Sequence, residues 1–148
     1  MHNTADIVRN AAVKWEGDVA KGHGEITTGS GKIAASYSFG TRFSGDPGTN
    51  PEELLGASHA ACFTMALSAA LTRAGNPPTS IETTAAVHLR ASGAGFEIAQ
   101  IELVTNAVVA SISEAQFADL ASDAKANCPI SKALAAVPIT LQAVLAAT

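Results

Sequence analysis

The two cysteines, Cys62 and Cys128, are the side chains of this sequence best suited to chemistry. Cys128 stands in Lys125-Ala126-Asn127-Cys128-Pro129-Ile130-Ser131-Lys132. Pro129 suits the first position of a helix. Cys128 therefore lies at or beside a helix N-terminus, where free backbone N–H groups and the helix dipole stabilise a thiolate. Asn127 can supply the cap, and Lys125 and Lys132 add positive charge nearby. A cysteine that merely falls at a helix start would look the same, and local physics leaves both readings open.

Cys62 stands in Ala60-Ala61-Cys62-Phe63, inside a long apolar stretch. A mid-helix thiol gains nothing from the dipole, and apolar surroundings raise its pKa. To react it needs a cation brought from elsewhere in the fold. Arg42, read as part of a strand with Phe39 and Phe43 nearby, is a candidate, with Glu52 or Glu53 as a carboxylate partner. The plain alternative for Arg42 is a surface charge at a strand edge. His59 is three residues before Cys62 and shares its helical face. A Cys–His nucleophilic pair or a metal site is conceivable, but the spacing matches no standard zinc motif. A polar contact at a helix interface is the simpler reading of His59. His2, His23 and His88 form no cluster with it, and Trp15 and Tyr37 read as core aromatics.

The elements that must position these groups follow from turn signals and periodicity. Ala12–Glu16, Gly24–Thr28 and Ile33–Phe43 read as an antiparallel meander punctuated by Gly17, Gly22 and Gly29-Ser30-Gly31. Gly45-Asp46-Pro47-Gly48 is a loop. Asn50 as cap, Pro51 in the first helical position and Glu52-Glu53 in the first turn start a helix that runs to Arg73, before Gly75 and Pro77-Pro78. Ile81–Ala91 and Phe96–Val109 are two long strands joined by Ser92-Gly93-Ala94-Gly95. Ser113 caps a helix to Ala126, Pro129 opens a short helix to about Ala135, and Ile139–Leu145 is a final strand. The pattern predicts an α+β fold with a mainly antiparallel sheet, a long buried central helix and two shorter helices.

Composition narrows the function classes. A chain of 148 residues with 47% hydrophobic and 15% charged residues suits one domain, 1–148, with a sizeable core. The net charge is −4 and there is no basic run, so nucleic acid is not an expected partner. The N-terminal residues 1–6 lack the pattern of a signal peptide, which points to a cytoplasmic protein. Leu54–Thr72 carries no charge, but it is mostly Ala and Ser and contains His59; a close-packed core helix, not a membrane span, is expected.

The segment from Gly48 to Ser68, with Asn50-Pro51-Glu52-Glu53-Leu54-Leu55-Gly56-Ala57-Ser58-His59-Ala60-Ala61-Cys62-Phe63 at its centre, closely resembles the signature of the OsmC and organic hydroperoxide resistance family. Asn127-Cys128-Pro129-Ile130-Ser131 resembles the family's second cysteine motif, and Trp15-Glu16-Gly17-Asp18 and Thr41-Arg42-Phe43 resemble its early strands. His59-Ala60-Ala61-Cys62 and the Glu52-Glu53 pair look more like the OsmC branch.

The resemblance implies a thiol peroxidase that reduces organic hydroperoxides in defence against oxidative or osmotic stress. Cys62 would be the attacking thiolate and Cys128 the thiol that resolves its sulfenic acid to a disulfide, with Arg42 and Glu52 completing the site. It further implies an intertwined homodimer with paired central helices and two sites at the interface. No haem, flavin or metal is needed, and a lipoyl-type dithiol serves as reductant. Glu52 and Cys62 are ten residues apart, about 15 Å of rise in an unbroken helix. Either the helix breaks near Gly56, or Glu52 reaches the site of the other subunit; the paired helices favour the second. Two other readings compete: a Cys62–His59 acyl-transfer enzyme that gives Cys128 no role, and an apolar-ligand binding module with both thiols in its core.

Overall fold

A computed structural model describes residues 5–146. His2 and most of the N-terminal stretch read for a signal peptide lie outside the described residues. The chain divides into two compact units, one ending at Pro51 and the other starting at Glu52.

The first unit is a three-stranded antiparallel meander of β1 (Ala11–Glu16), β2 (His23–Thr28) and β3 (Ala34–Tyr37), in the order β1-β2-β3. Gly24 sits where a Cβ would lie 2.3 Å from the Tyr37 ring, so only glycine lets Trp15 and Tyr37 close over this strand. Their rings are 5.3 Å apart. The strand expected to run through Phe43 stops at Tyr37, and Phe39–Phe43 forms a short helix, α1. The physical reason is a capping box. Ser38 Oγ accepts from the Thr41 N–H at 3.3 Å, and Thr41 Oγ1 accepts from the Ser38 N–H at 2.8 Å. Arg42 is therefore a helical residue, not a strand residue.

The second unit carries α2 (Pro51–Arg73), β4 (Ser80–Ser92), β5 (Gly95–Val108), α3 (Glu114–Asn127), α4 (Pro129–Ala133) and β6 (Ile139–Leu145). β4 and β5 form a long antiparallel hairpin, and β6 joins β5 in parallel, giving a mixed sheet in the order β4-β5-β6. The other three strand pairings of the described residues are antiparallel. One face of this sheet presents Ile101, Leu103, Thr105 and Ala107, a period of two, to Phe63, Leu67 and Leu71 of α2 and Phe117, Ala121 and Ala124 of α3. Each fully buried large side chain in this cluster contributes about 1.5–3 kcal/mol of hydrophobic stabilisation. Threonines inside pair with one another: Thr64 Oγ1 donates to Thr83 Oγ1 at 2.7 Å, and Thr83 shares a hydrogen bond with Thr105 at 2.9 Å.

α2 is continuous across Gly56, which packs close to Ala85 of β4. It is long and apolar enough to cross a membrane, yet it packs His59, Phe63, Leu67 and Leu71 into the core and is a core helix. The outward positions Ala57, Ala61 and Met65 are exposed, Met65 to 76%.

Candidate functional site

Cys62 lies near the middle of α2 and is half-buried, while Cys128 joins α3 to α4 and is fully buried. Pro129 explains the second placement. A residue before proline is pushed out of the helical region, and Cys128 adopts φ −57°, ψ 125°, ending α3 and turning the chain into α4. That turn brings Cys128 Sγ to 2.7 Å from Cys62 Sγ across 66 residues of sequence. Both thiols are free. A disulfide needs about 2.0 Å between sulfurs, so the pair can bond with a shift of well under one side-chain length.

The two thiols do not share their proton evenly. Burial raises the pKa of Cys62, and the hydrogen bond with Cys128 raises it further, against a weaker opposing effect of the Ile130 N–H. Burial also works to raise Cys128, but the Cys62 thiol, the N–H and O–H of Ser131 and the N–H of Ile130 outweigh it, so Cys128 falls below the ordinary thiol value. The pair ionises as a unit. Of the two thiols, Cys128 is the one whose ionisation is favoured and Cys62 the one whose ionisation is disfavoured. Access runs the other way: solvent reaches Cys62, and Cys128 is shut off from it.

His59 is fully buried, and its Nε2 makes a 2.8 Å hydrogen bond with Ser131 Oγ. This is the expected polar contact at a helix interface, here with α4. Burial lowers its pKa, which favours the neutral ring. Among the described residues no cluster of three or more His, Cys, Asp or Glu could hold a metal ion.

The structure brings Cys62 and Cys128 together. Arg42 is on α1 in the first unit, and Glu52 is in the first turn of α2. Arg42 lies 5.3 Å from the Phe43 ring centroid and lines a cleft of about 240 Å³ with Trp15, Val19, Tyr37, Phe39 and Phe43. Trp15 and Tyr37, expected as core aromatics, are cleft walls. Phe63, flanking Cys62 in sequence, is fully buried in the core. Ser131 stands three residues after Cys128 near the start of α4, and only the tertiary fold reveals its contact with His59.

The scaffold is α+β and holds two unbonded thiols in contact, one accessible and one buried. Residues 43–142 match the family model described as OsmC-like protein. The chain is 48% identical over 131 residues to peroxiredoxin OsmC of Escherichia coli K12, covering 88% of this chain and 92% of that protein. It is similar in structure to the organic hydroperoxide resistance protein OhrB of Bacillus subtilis, with a TM-score of 0.70 at 28% identity over 93% of this chain and 98% of that one. An OsmC-like protein from Vibrio cholerae superposes with a TM-score of 0.76 over 94% of this chain and all (100%) of that chain, at 15% identity, a likeness of fold alone. The chain belongs to the OsmC family.

Proposed function

We propose that this OsmC-family peroxidase reduces organic hydroperoxides with Cys62 as the attacking thiolate and Cys128 as the resolving thiol. The observation that carries this reading is the 2.7 Å separation of two sulfurs of which only Cys62 is open to solvent. A peroxide must touch the sulfur that attacks it, so access supports Cys62 as the attacker although Cys128 ionises more readily. The Cys62 thiolate displaces alkoxide from the distal peroxide oxygen, giving a sulfenic acid; two electrons pass from sulfur to the O–O bond, and the alkoxide takes a proton to leave as alcohol. The Cys128 thiolate then attacks the Cys62 sulfur, the S–S bond forms, and hydroxide leaves as water after protonation. A dithiol, of the lipoyl type in keeping with the family resemblance, returns two electrons and two protons.

For attack, Cys62 must be the thiolate, although Cys128 ionises more readily. Arg42 supplies the cation that favours this, and its guanidinium also donates to the peroxide oxygens. Glu52 orients Arg42. Because α2 is unbroken, Glu52 and Cys62 of one chain stand about 15 Å apart along the helix axis, which supports Glu52 acting on the other chain's site. The small exposed face at Ala57, Ala61 and Met65 suits a paired α2 in a homodimer. In that assembly both units of the chain act as one domain. Reducible thiols of this kind suit the cytoplasm.

The aromatic cleft around Arg42 favours a substrate with a hydrocarbon tail. Burying roughly 60 Å² of tail at about 25 cal/mol per Å² is worth on the order of tenfold in rate. Cumene hydroperoxide should therefore react with the reduced protein at least about tenfold faster than hydrogen peroxide, measured as second-order rate constants by stopped-flow. A larger constant for hydrogen peroxide would contradict the proposed substrate class.

A further inference from the structure

α4 carries Cys128 at its N-cap, yet it has only five residues, and Cys128 gives it no side-chain cap. A helix this short does not stand alone in water and takes its place from tertiary contacts. Ile130 and Leu134 pack on the core, and apolar contacts are non-directional and tolerate sliding. A directional contact is made by His59 Nε2 and Ser131 Oγ, 2.8 Å apart and both on buried side chains. It stands in register with the thiols: His59 is three residues before Cys62, and Ser131 is three residues after Cys128. The two segments therefore meet in antiparallel sense at two points, the hydrogen bond at 2.8 Å and the sulfurs at 2.7 Å. His59 Nδ1 is buried and has no hydrogen-bond partner among the described residues. An orphaned buried N–H is rarer than an under-satisfied acceptor, so the ring hydrogen belongs on Nε2, and His59 donates to Ser131.

We propose that His59 is a positioning residue: by donating to Ser131 it fixes α4 on α2, and so raises the readiness with which Cys128 closes a disulfide on Cys62. The inference rests on the Cys62–Cys128 disulfide of the reading above and adds the residue that aligns it. Disulfide closure is steep in geometry, since the sulfurs must come to about 2.0 Å with a dihedral near roughly 90°. A slide of α4 by about 1 Å would spoil that approach and still leave Ile130 and Leu134 against the core. The hydrogen bond holds the reduced thiols close, so less freedom is lost when the S–S bond forms. By linkage, the disulfide strengthens the hydrogen bond by the same factor. In this role His59 acts through Ser131 and not on the peroxide or a sulfur.

Equilibrating the full chain with mixtures of reduced and oxidised dithiothreitol reads this alignment as the equilibrium constant of the Cys62–Cys128 disulfide. Two electrons and two protons pass from the protein thiols to the oxidised dithiothreitol as the bond closes. Ser131→Ala and His59→Leu should each lower that constant roughly three- to tenfold, the scale of one buried hydrogen bond. The double variant should lose no more than either single one, because both remove the same bond. His59→Gln keeps an N–H near the Nε2 position and should restore most of the constant, which a space-filling role for His59 would not. A wild-type constant in Ser131→Ala would overturn the proposal, and so would additive losses in the double variant or His59→Gln behaving like His59→Leu. Ser131→Ala removes a single oxygen, so the proposal stays testable if His59→Leu does not fold. Failure of the peroxidase reading looks different: the wild-type chain would then close its disulfide against dithiothreitol and consume no cumene hydroperoxide.

Discussion

Cys62→Ser should consume no hydroperoxide, whereas Cys128→Ser should consume about one equivalent and then stall. The asymmetry follows from access and not from acidity. Cys128 is the more acidic thiol, yet it is fully buried behind α4, and a peroxide arriving from solvent meets Cys62. In Cys128→Ser, Cys62 is left without a partner, so its sulfenic acid persists or is oxidised further to the sulfinic acid. The loss in Cys62→Ser is expected to be complete within detection, because the serine hydroxyl is not ionised near neutral pH and the second sulfur cannot be reached. Mass spectrometry of each variant after peroxide, with the quantity of alcohol formed, separates the cases. A full first turnover in Cys62→Ser would reverse the two roles.

Arg42→Ala should lower the rate of the first step at neutral pH by about 100-fold or more, the scale seen when a preorganised donor is removed from developing charge. Cys62 starts at a disadvantage, since burial and Cys128 both push its pKa up. Removing the proposed cation raises it further. The sign of the pH effect follows: the thiolate fraction grows as pH rises, so part of the lost rate returns in alkaline buffer. Arg42→Lys keeps the charge but loses the planar fork, and should recover only a minor part. Mixing inactive Glu52→Ala and Cys62→Ser chains tests the origin of the carboxylate. If Glu52 acts across the dimer, each heterodimer holds one intact site and activity returns; verified heterodimers without activity would place Glu52 in its own chain's site.

Much of the framework was legible because local signals agreed with tertiary demands. The Asn50-Pro51-Glu52-Glu53 start of α2, the β4–β5 hairpin at Gly93, the Ser113 cap of α3 and the Pro129 start of α4 all stand where turn and capping chemistry put them. α1 was missed because Phe39 and Phe43 resemble strand residues, whereas Ser38 and Thr41 close a capping box in which threonine takes the place of the usual Glu or Gln. The parallel entry of β6 beside β5 is set by the path of α3 and α4, which periodicity does not encode. At the site, Cys62 and Cys128 could be named from their motifs, but the contact between them could not. Nor could Ser131, whose link to His59 joins positions 72 residues apart. Local physics flagged Cys128 first, and the contact with Cys62, which lowers its pKa further, was not legible. Only the burial of Cys128 gives a reason, beyond resemblance, for assigning attack to Cys62.

The central claim is that Cys62 and Cys128 together deliver two electrons to a hydroperoxide. Titrating free thiols in the fully reduced protein before and after one equivalent of cumene hydroperoxide tests it most directly. Two thiols per chain should fall to none, with one equivalent of alcohol formed and both thiols recovered on adding a dithiol. Two thiols per chain still titrating after the peroxide is added would contradict the account.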